Sequence, residues 1–350
     1  MKNVSLLVST IDSGGAEKQA VLLAVQLSKH MKINLIVLFG DHAEYKRNVE
    51  LLSNSPVHVH RLSGNLVSKA TQIRRILKET KTDVLLNYLT LPDVLGSFLA
   101  NQLGIRVYNG IRNSRLPKKK MLMEKFAHNH WATGTIFNCY SGADFFGSIG
   151  FRKDKNIVIP NCFPAIAQTI QRADKGVKTI ITVGRFDPQK DYETLIKSVS
   201  LLKRNDYRLC IVGYGVLEPH IRGWVEQYGL RDKTEIYIKP NNVHELERNA
   251  DIYLSTSLFE GTSNSIMEAL NYSLPVVATN VGDNDHLVIE GENGFLHSIG
   301  DAQGLSNSLG KLLDSVELRN QMGLRSNQNL RNNYSMEIFE ERYTKLIERD

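Results

Sequence analysis

The sequence predicts an α/β protein made of two Rossmann-like, doubly wound domains, and three observations predict it. Short apolar runs rich in β-branched residues recur along the chain, separated by intervals long enough for a helix, as a parallel sheet requires. These runs fall into two sets, parted near Asn161-Cys-Phe-Pro164 and the polar stretch to Lys178. At 350 residues with 42% hydrophobic content, the chain can fill two sizeable cores.

The first set of expected strands covers 4–10, 33–39, 57–62, 84–88, 106–111, 135–139 and 157–160. The second covers 179–185, 207–213, 234–238, 252–256 and 275–279. Expected domains are 1–163 and 164–332, followed by a last helix over about 335–348 beyond a polar break at Asn327–Ser335. No short-period repeat or low-complexity tract interrupts the pattern.

Two glutamates are the most informative local feature: Glu260 and Glu268 in Phe259-Glu-Gly-Thr-Ser-Asn-Ser-Ile-Met-Glu268. Ala250–Ser257 before them reads as a buried strand, and Ile266–Tyr272 after them reads as a helix opening at Ser263-Asn264-Ser265. One carboxylate then leaves a strand, and the other sits about one turn into the helix. The helix start between them offers free N–H groups and a positive dipole end. That arrangement suits a polyol attached to a phosphate. An acidic loop residue plus a first-turn glutamate favoured by the dipole would look the same.

Upstream, the strand Thr179–Gly184 runs into Arg185-Phe-Asp-Pro-Gln-Lys190, with a helix expected near Asp191. An arginine fork and a lysine point charge at the carboxyl end of a strand suit a diphosphate. A surface loop with ordinary basic residues is the alternative. Near the amino terminus, the strand Val4–Thr10 leads through Ile11-Asp-Ser-Gly14-Gly15 into a helix reaching about Leu27. Paired glycines let backbone approach a ligand and tolerate positive φ. The turn is neither a Walker loop nor a dinucleotide fingerprint.

In this order, the three pieces resemble the retaining nucleotide-sugar glycosyltransferases of family four, including those that build bacterial surface polysaccharides. That family has the GT-B fold, two Rossmann-like domains facing a cleft. The matching residues are Gly14-Gly15, the Arg185 and Lys190 pair, and Glu260 with Glu268. Ile159-Pro-Asn161, Val212-Gly-Tyr-Gly215 and Gly291-Glu-Asn-Gly-Phe-Leu296 match further phrases, and the resemblance spans residues 3 to about 345.

The resemblance implies a donor held mainly by the second domain, a UDP-sugar ahead of a GDP-sugar. Arg185 and Lys190 would neutralise the diphosphate, Glu260 would bind the transferred sugar, and Glu268 would take the ribose hydroxyls. Thr262, Ser263, Asn264 and Ser265 would contact sugar and phosphate, and Gly14 and Gly15 would close over the phosphates. The final helix, 333–350 with its approach, would cross back onto the first domain. Attack from the leaving-group face would leave the acceptor proton to the departing phosphate, so no enzymatic nucleophile is called for; with no credible metal ligands and two cations for the diphosphate, no metal is expected, and no cofactor.

Two departures from the family pattern stand out. Where many relatives place a sugar-facing histidine, the strand Arg106–Ile111 leads to Arg112-Asn113-Ser114-Arg115. Arg112 and Asn113 are the candidates for that role, with a solvated basic turn as the alternative. Gly282-Asp-Asn-Asp-His286 ends without the usual glutamate. Asp283 and Asp285 spell a metal-binding phrase of a different transferase fold, but precede a helix in the wrong domain. His58, His60, His128 and His130 lack ligand company at a metal spacing.

The net charge is +6 with a pI near 9.0. Its excess gathers in the first domain, at Arg74, Arg75, Lys78, Arg112, Arg115, Lys118, Lys119, Lys120 and Lys125. Such a face predicts an anionic membrane surface as partner, and no aromatic-interleaved strand or recognition helix points to nucleic acid. No apolar run spans a membrane and no signal peptide is visible, so a cytoplasmic protein, peripheral on the inner face of the membrane, is expected. Cys139, Cys162 and Cys210 read as reduced packing residues. The expected activity is transfer of a sugar to a lipid-linked or polysaccharide acceptor. A GT-B nucleotide-sugar epimerase and a catalytically silent nucleotide-sugar-binding protein are the alternatives.

Overall fold

The computed structural model describes residues 1–112 and 116–349. Two compact units divide the chain: residues 1–162 with 336–350, and residues 163–335.

In the first unit, strands β1 (Asn3–Val8), β2 (Lys32–Val37), β3 (His58–Arg61), β4 (Val84–Asn87), β5 (Arg106–Ile111), β6 (Gly134–Phe137) and β7 (Asn156–Val158) form one sheet. Its order is β3-β2-β1-β4-β5-β6-β7, and every pairing is parallel. The central strands β1 and β4 are buried almost end to end, as strands covered on both faces must be. Helices α1 (Gly15–Leu27), α2 (Lys46–Ser53), α3 (Leu66–Glu79), α4 (Thr90–Leu103), α5 (Lys118–His130) and α6 (Tyr140–Ser148) make the crossovers.

In the second unit, β8 (Lys178–Arg185), β9 (Tyr207–Tyr214), β10 (Thr234–Ile238), β11 (Ile252–Ser255), β12 (Val276–Thr279) and β13 (Gly294–His297) form a second parallel sheet, ordered β10-β9-β8-β11-β12-β13. Its helices are α7 (Tyr192–Ser200), α8 (Glu218–Gln227), α9 (Val243–Asn249), α10 (Asn264–Asn271), α11 (Asn284–Leu287), α12 (Ala302–Asp314) and α13 (Val316–Tyr334). The chain winds from β8 toward β10, then restarts at β11 and winds the other way. That reversal between β8 and β11 is where open α/β sheets bind ligands. Strand β13 was not foreseen from the sequence.

Helix α14 (Met336–Glu348) packs on the first unit, burying Phe339, Tyr343, Leu346 and Ile347 in the same core as Val4 and Leu6. One expectation is corrected. The expected break at Asn327–Ser335 is helical to Tyr334, because polar side chains are used inward: Ser326 Oγ donates to the Leu274 carbonyl and Asn327 Nδ2 to the Asn271 carbonyl. The polar stretch before Lys178, where the sequence divides the two sets of strands, is tied into the second unit. Arg172 is buried there and donates to the carbonyls of Ala250, Ser273 and Tyr272.

Candidate functional site

Arg185 ends β8, and its exposed guanidinium pairs with Asp187 at 3.2 Å. Its loop is fixed by close approach to β9. Phe186 N–H donates to the Tyr214 carbonyl at 2.7 Å, and a Cβ on Gly213 would lie 1.9 Å from the Gly184 carbonyl oxygen. Only glycine fits there. A short 3-10 turn, Pro188–Lys190, follows, and Asp191 then takes a left-handed conformation (φ 45°) and caps α7 through the Thr194 N–H. This sharp re-entry turns Lys190 back over the end of the sheet.

There Lys190 meets Glu260. Nζ lies 2.5 Å from Oε1, with both side chains largely buried. The Ser257 hydroxyl donates to the same oxygen at 2.8 Å. Thr256 Oγ1 donates to the carbonyls of Lys190 and Asp191, and Gln189 Nε2 to the Phe259 carbonyl at 2.7 Å. The loops after β8 and β11 are therefore one hydrogen-bonded body. Sequence reasoning missed Ser257, Thr256 and Gln189. The Ser-Thr-Ser run was visible, but it read only as the end of a strand.

Past Glu260 the chain passes Thr262, whose hydroxyl donates to Asp283 at 3.4 Å, and enters α10. Ser263 is the N-cap without a side-chain capping bond; its hydroxyl and that of Ser265 are 3.3 Å apart, and Asn264 is exposed. The first N–H groups of α10 thus open on the same edge of the sheet as Lys190 and Glu260. Gly282 holds a positive φ of 58°, and a Cβ there would sit 2.2 Å from the Glu260 carbonyl oxygen, so this glycine backs the Glu260 loop. Glu268 lies one turn into α10, half-buried; burial pushes its carboxyl up, and His244 counteracts this. Among the described residues, no group of three or more metal-ligating side chains could hold a metal ion.

The remaining predicted residues lie in the first unit. Gly14 is the N-cap of α1 and Gly15 its first residue, both exposed. Neither has a positive φ: Gly14 is extended (φ −60°, ψ 151°), and a Cβ there would lie 2.2 Å from Glu17 Oε2, whereas one on Gly15 would meet nothing within 4 Å. Arg112 corrects the reading of a solvated basic turn. Its guanidinium lies 4.6 Å from the Tyr88 ring centroid, and Nη2 donates to Tyr343 Oη at 2.8 Å. Arg112 lines a cavity of about 410 Å³ with Leu89, Leu91, Ile111, Lys120, Met123 and Glu124 among its walls. Asn113 and Arg115 lie outside the described residues. Lys125 leaves the expected basic patch as well, since its ammonium donates to the Ile149 carbonyl. His128 is a core residue, bonded to Thr135 Oγ1 at 2.8 Å and the Arg152 carbonyl at 3.1 Å.

A basic loop and an acidic loop joined at the switch point of a parallel sheet, in a chain of two Rossmann-like units, define the class: a GT-B protein. The family follows from comparison. Residues 166–328 match the family model described as Glycosyl transferases group 1. Over 99% of this chain and 98% of that protein, the sequence is 21% identical to GalNAc-alpha-(1->4)-GalNAc-alpha-(1->3)-diNAcBac-PP-undecaprenol alpha-1,4-N-acetyl-D-galactosaminyltransferase of Campylobacter jejuni. A second Campylobacter jejuni relative, N-acetylgalactosamine-N,N'-diacetylbacillosaminyl-diphospho-undecaprenol 4-alpha-N-acetylgalactosaminyltransferase, is 24% identical over 91% of this chain and 92% of that protein. The crystal structure of Anabaena Alr3699/HepE with UDP shares the fold at a TM-score of 0.78, with 17% identity and 99% of each chain covered. The apo lipopolysaccharide outer core galactosyltransferase WaaB also scores 0.78, at 15% identity over 99% of each chain. The family resemblance is shown: the second unit carries the glycosyl transferases group 1 domain, and the chain is a glycosyltransferase with the GT-B fold.

Proposed function

We propose that this glycosyltransferase moves a sugar from a nucleoside diphosphate donor, a UDP-sugar first, to a lipid-linked or polysaccharide saccharide with retention of configuration. The observation that carries the reading is the Lys190–Glu260 pair at the switch point of the second sheet. Lys190 and Arg185 take the diphosphate and stabilise charge building on the leaving group. Glu260, freed from Lys190 by the phosphate, turns to the sugar hydroxyls. The N–H groups at Thr262–Ser265 and the start of α10 serve the sugar and phosphate, and Glu268 takes the ribose hydroxyls. In the first unit, Gly14, Gly15 and Arg112 are the residues proposed to meet ligand.

The bond from the anomeric carbon to the diphosphate oxygen breaks while the acceptor hydroxyl adds on the same face, and its proton goes to the departing phosphate. The charge neutralisation is assigned to Arg185 and Lys190, without a metal. The acceptor class rests on the Campylobacter relatives, whose names carry undecaprenol-linked saccharides, and the donor base on the UDP of the Anabaena structure. We also assign a site of action at the inner membrane face. Lys118, Lys119 and Lys120 are exposed on α5 beside Leu122, Met123 and Phe126, which expose 68%, 47% and 51% of their surface.

Thermal-shift binding of UDP, GDP and their sugars is the decisive experiment. The expected result is stabilisation by one nucleoside diphosphate, followed by sugar transfer to a polyprenyl diphosphate saccharide. Transfer should persist in excess EDTA. Loss in EDTA, restored by Mg2+ or Mn2+, would return Asp283 and Asp285 as ligands, and no binding by any nucleotide would sink the donor assignment.

A further inference from the structure

Three hydroxyl residues in a row, Ser255, Thr256 and Ser257, are buried where β11 leaves the sheet. A buried hydroxyl is costly unless it is bonded, so each needs a partner. Thr256 Oγ1 bonds main chain, the carbonyls of Lys190 and Asp191. Of the three, Ser257 is the one that donates to a charged side chain: its Oγ lies 2.8 Å from Glu260 Oε1. Ser255 Oγ stands 3.5 Å from Ser257 Oγ. A serine has one hydrogen to give, so with that hydrogen on Glu260, Ser255 is the donor in this longer contact.

The Ser257 backbone is clamped on both sides. Thr279 Oγ1, at the end of β12 and itself fully buried, donates to the Ser257 carbonyl at 2.6 Å. The following N–H, of Leu258, donates to the Gln189 carbonyl at 2.8 Å. The hydroxyl is therefore a fixed donor beside the Glu260 carboxylate. Both of the donors that reach that carboxylate, Ser257 Oγ and Lys190 Nζ, fall on Oε1, and Oε2 takes no hydrogen bond among the described residues. An anion that drew Lys190 away would leave Ser257 holding the carboxylate by itself.

We propose that Ser257 is a positioning residue for transfer. It keeps Oε1 of Glu260 in place when the donor diphosphate takes Lys190, and so presents Oε2 to the sugar hydroxyls. This rests on the reading of Glu260 as the sugar-facing carboxylate. Without the hydroxyl the released carboxylate can swing, and about 1 Å of misplacement costs up to about 100-fold in rate.

The test uses the full chain with Ser257→Ala, Ser257→Cys, Glu260→Ala and the Ser257→Ala, Glu260→Ala double variant. Calorimetry gives affinity for UDP, with GDP in parallel. Turnover is measured with whichever of UDP-glucose, UDP-galactose, UDP-N-acetylglucosamine, UDP-N-acetylgalactosamine and GDP-mannose wild type transfers to an undecaprenyl diphosphate saccharide. Rates are compared at a temperature where every variant is folded, so that lost packing cannot imitate lost positioning. Ser257→Ala should lose about tenfold in kcat while nucleotide affinity stays within about twofold, because the hydroxyl meets Glu260 and not the phosphates. Ser257→Cys keeps a small side chain but only a weak donor, and should resemble Ser257→Ala. In the Glu260→Ala background, losing the Ser257 hydroxyl should change kcat by less than about twofold, since the group it positions is gone.

Wild-type turnover in Ser257→Ala or Ser257→Cys, an equal loss of nucleotide affinity and kcat, or losses that multiply in the double variant would each overturn the proposal and leave the donor site standing. If wild type bound neither nucleotide, or transferred no sugar from the panel, the donor-site reading would fail and take the positioning role with it.

Discussion

At the scale of single residues, the proposed donor site predicts that the ion pair between Lys190 and Glu260 separates binding from transfer. Lys190 Nζ already has a carboxylate at 2.5 Å, so an incoming phosphate must compete with Glu260 for it. Glu260→Gln weakens the competitor and should leave UDP affinity unchanged or tighter, while transfer falls at least about tenfold from loss of the sugar contact. Lys190→Ala removes leaving-group stabilisation and should cost roughly 100- to 1,000-fold in turnover. Calorimetry and initial rates on the two variants check this; equal losses of affinity in both would show that Glu260 holds the nucleotide rather than opposing it. The sequence showed both side chains and their spacing. It did not show that they would touch, because the contact depends on the left-handed turn at Asp191 and on hydroxyls of Thr256 and Ser257 that no motif marks.

Elements carry two further predictions. The β12–α11 turn supports the Glu260 loop through Gly282, whose φ of 58° and missing Cβ both matter. Gly282→Ala forces a side chain into left-handed backbone, costing about 1–2 kcal/mol before its contact with the Glu260 carbonyl is relieved. Transfer should fall more than about tenfold with only a few degrees lost in melting temperature. Wild-type turnover in this variant would remove the support role. In the first unit, α4 and α5 carry buried titratable groups of opposite sense. Asp93 and Glu124 are buried carboxyls that accept, respectively, the Gly110 N–H and a Thr90 hydrogen bond, and burial raises both, each also feeling the other. Raised acids stabilise the fold at low pH, and that contribution is lost as pH climbs from about 4. Burial lowers His128 to about 4, so its cost to the fold appears only as pH drops below about 6.5. At pH 8 only the carboxyl pair acts. Asp93→Asn should therefore melt above wild type at pH 8, with the gain gone by pH 4; a pH-independent difference would show the pair to be ionised in the fold.

Across the whole molecule, what was legible followed from burial. The central strands β1, β4, β8 and β11 are apolar because both faces are covered, and they read as strands without ambiguity. Strand β13 escaped notice because Gly294–His297 is short, at the sheet edge and mostly half-buried, in a phrase whose glycines suggest a turn. The carboxyl-terminal half of α13 was misread because its inward contacts are polar, Ser326 and Asn327 bonding backbone carbonyls. Composition likewise overdrew the basic face, since Arg112 and Lys125 turn inward. What remains is Arg74, Arg75 and Lys78, exposed on α3, and an exposed lysine run on α5 beside three exposed apolar side chains, which makes the α5 surface amphipathic rather than purely charged. No helix among the described residues is long and apolar enough to cross a membrane. Replacing Lys118, Lys119 and Lys120 by Gln should weaken binding to anionic vesicles, each lysine near such a surface being worth about 1 kcal/mol. Raising salt should release wild type only in part, because screening shortens the Debye length to about 3 Å at 1 M but leaves apolar contact intact. Complete release by salt would mean that Leu122, Met123 and Phe126 contribute nothing. Vesicle sedimentation measures both, with transfer to a soluble acceptor analogue as the control: if the triple variant bound vesicles like wild type, the lysines would be an ordinary solvated face, and if it lost transfer to the analogue, they would belong to the acceptor site.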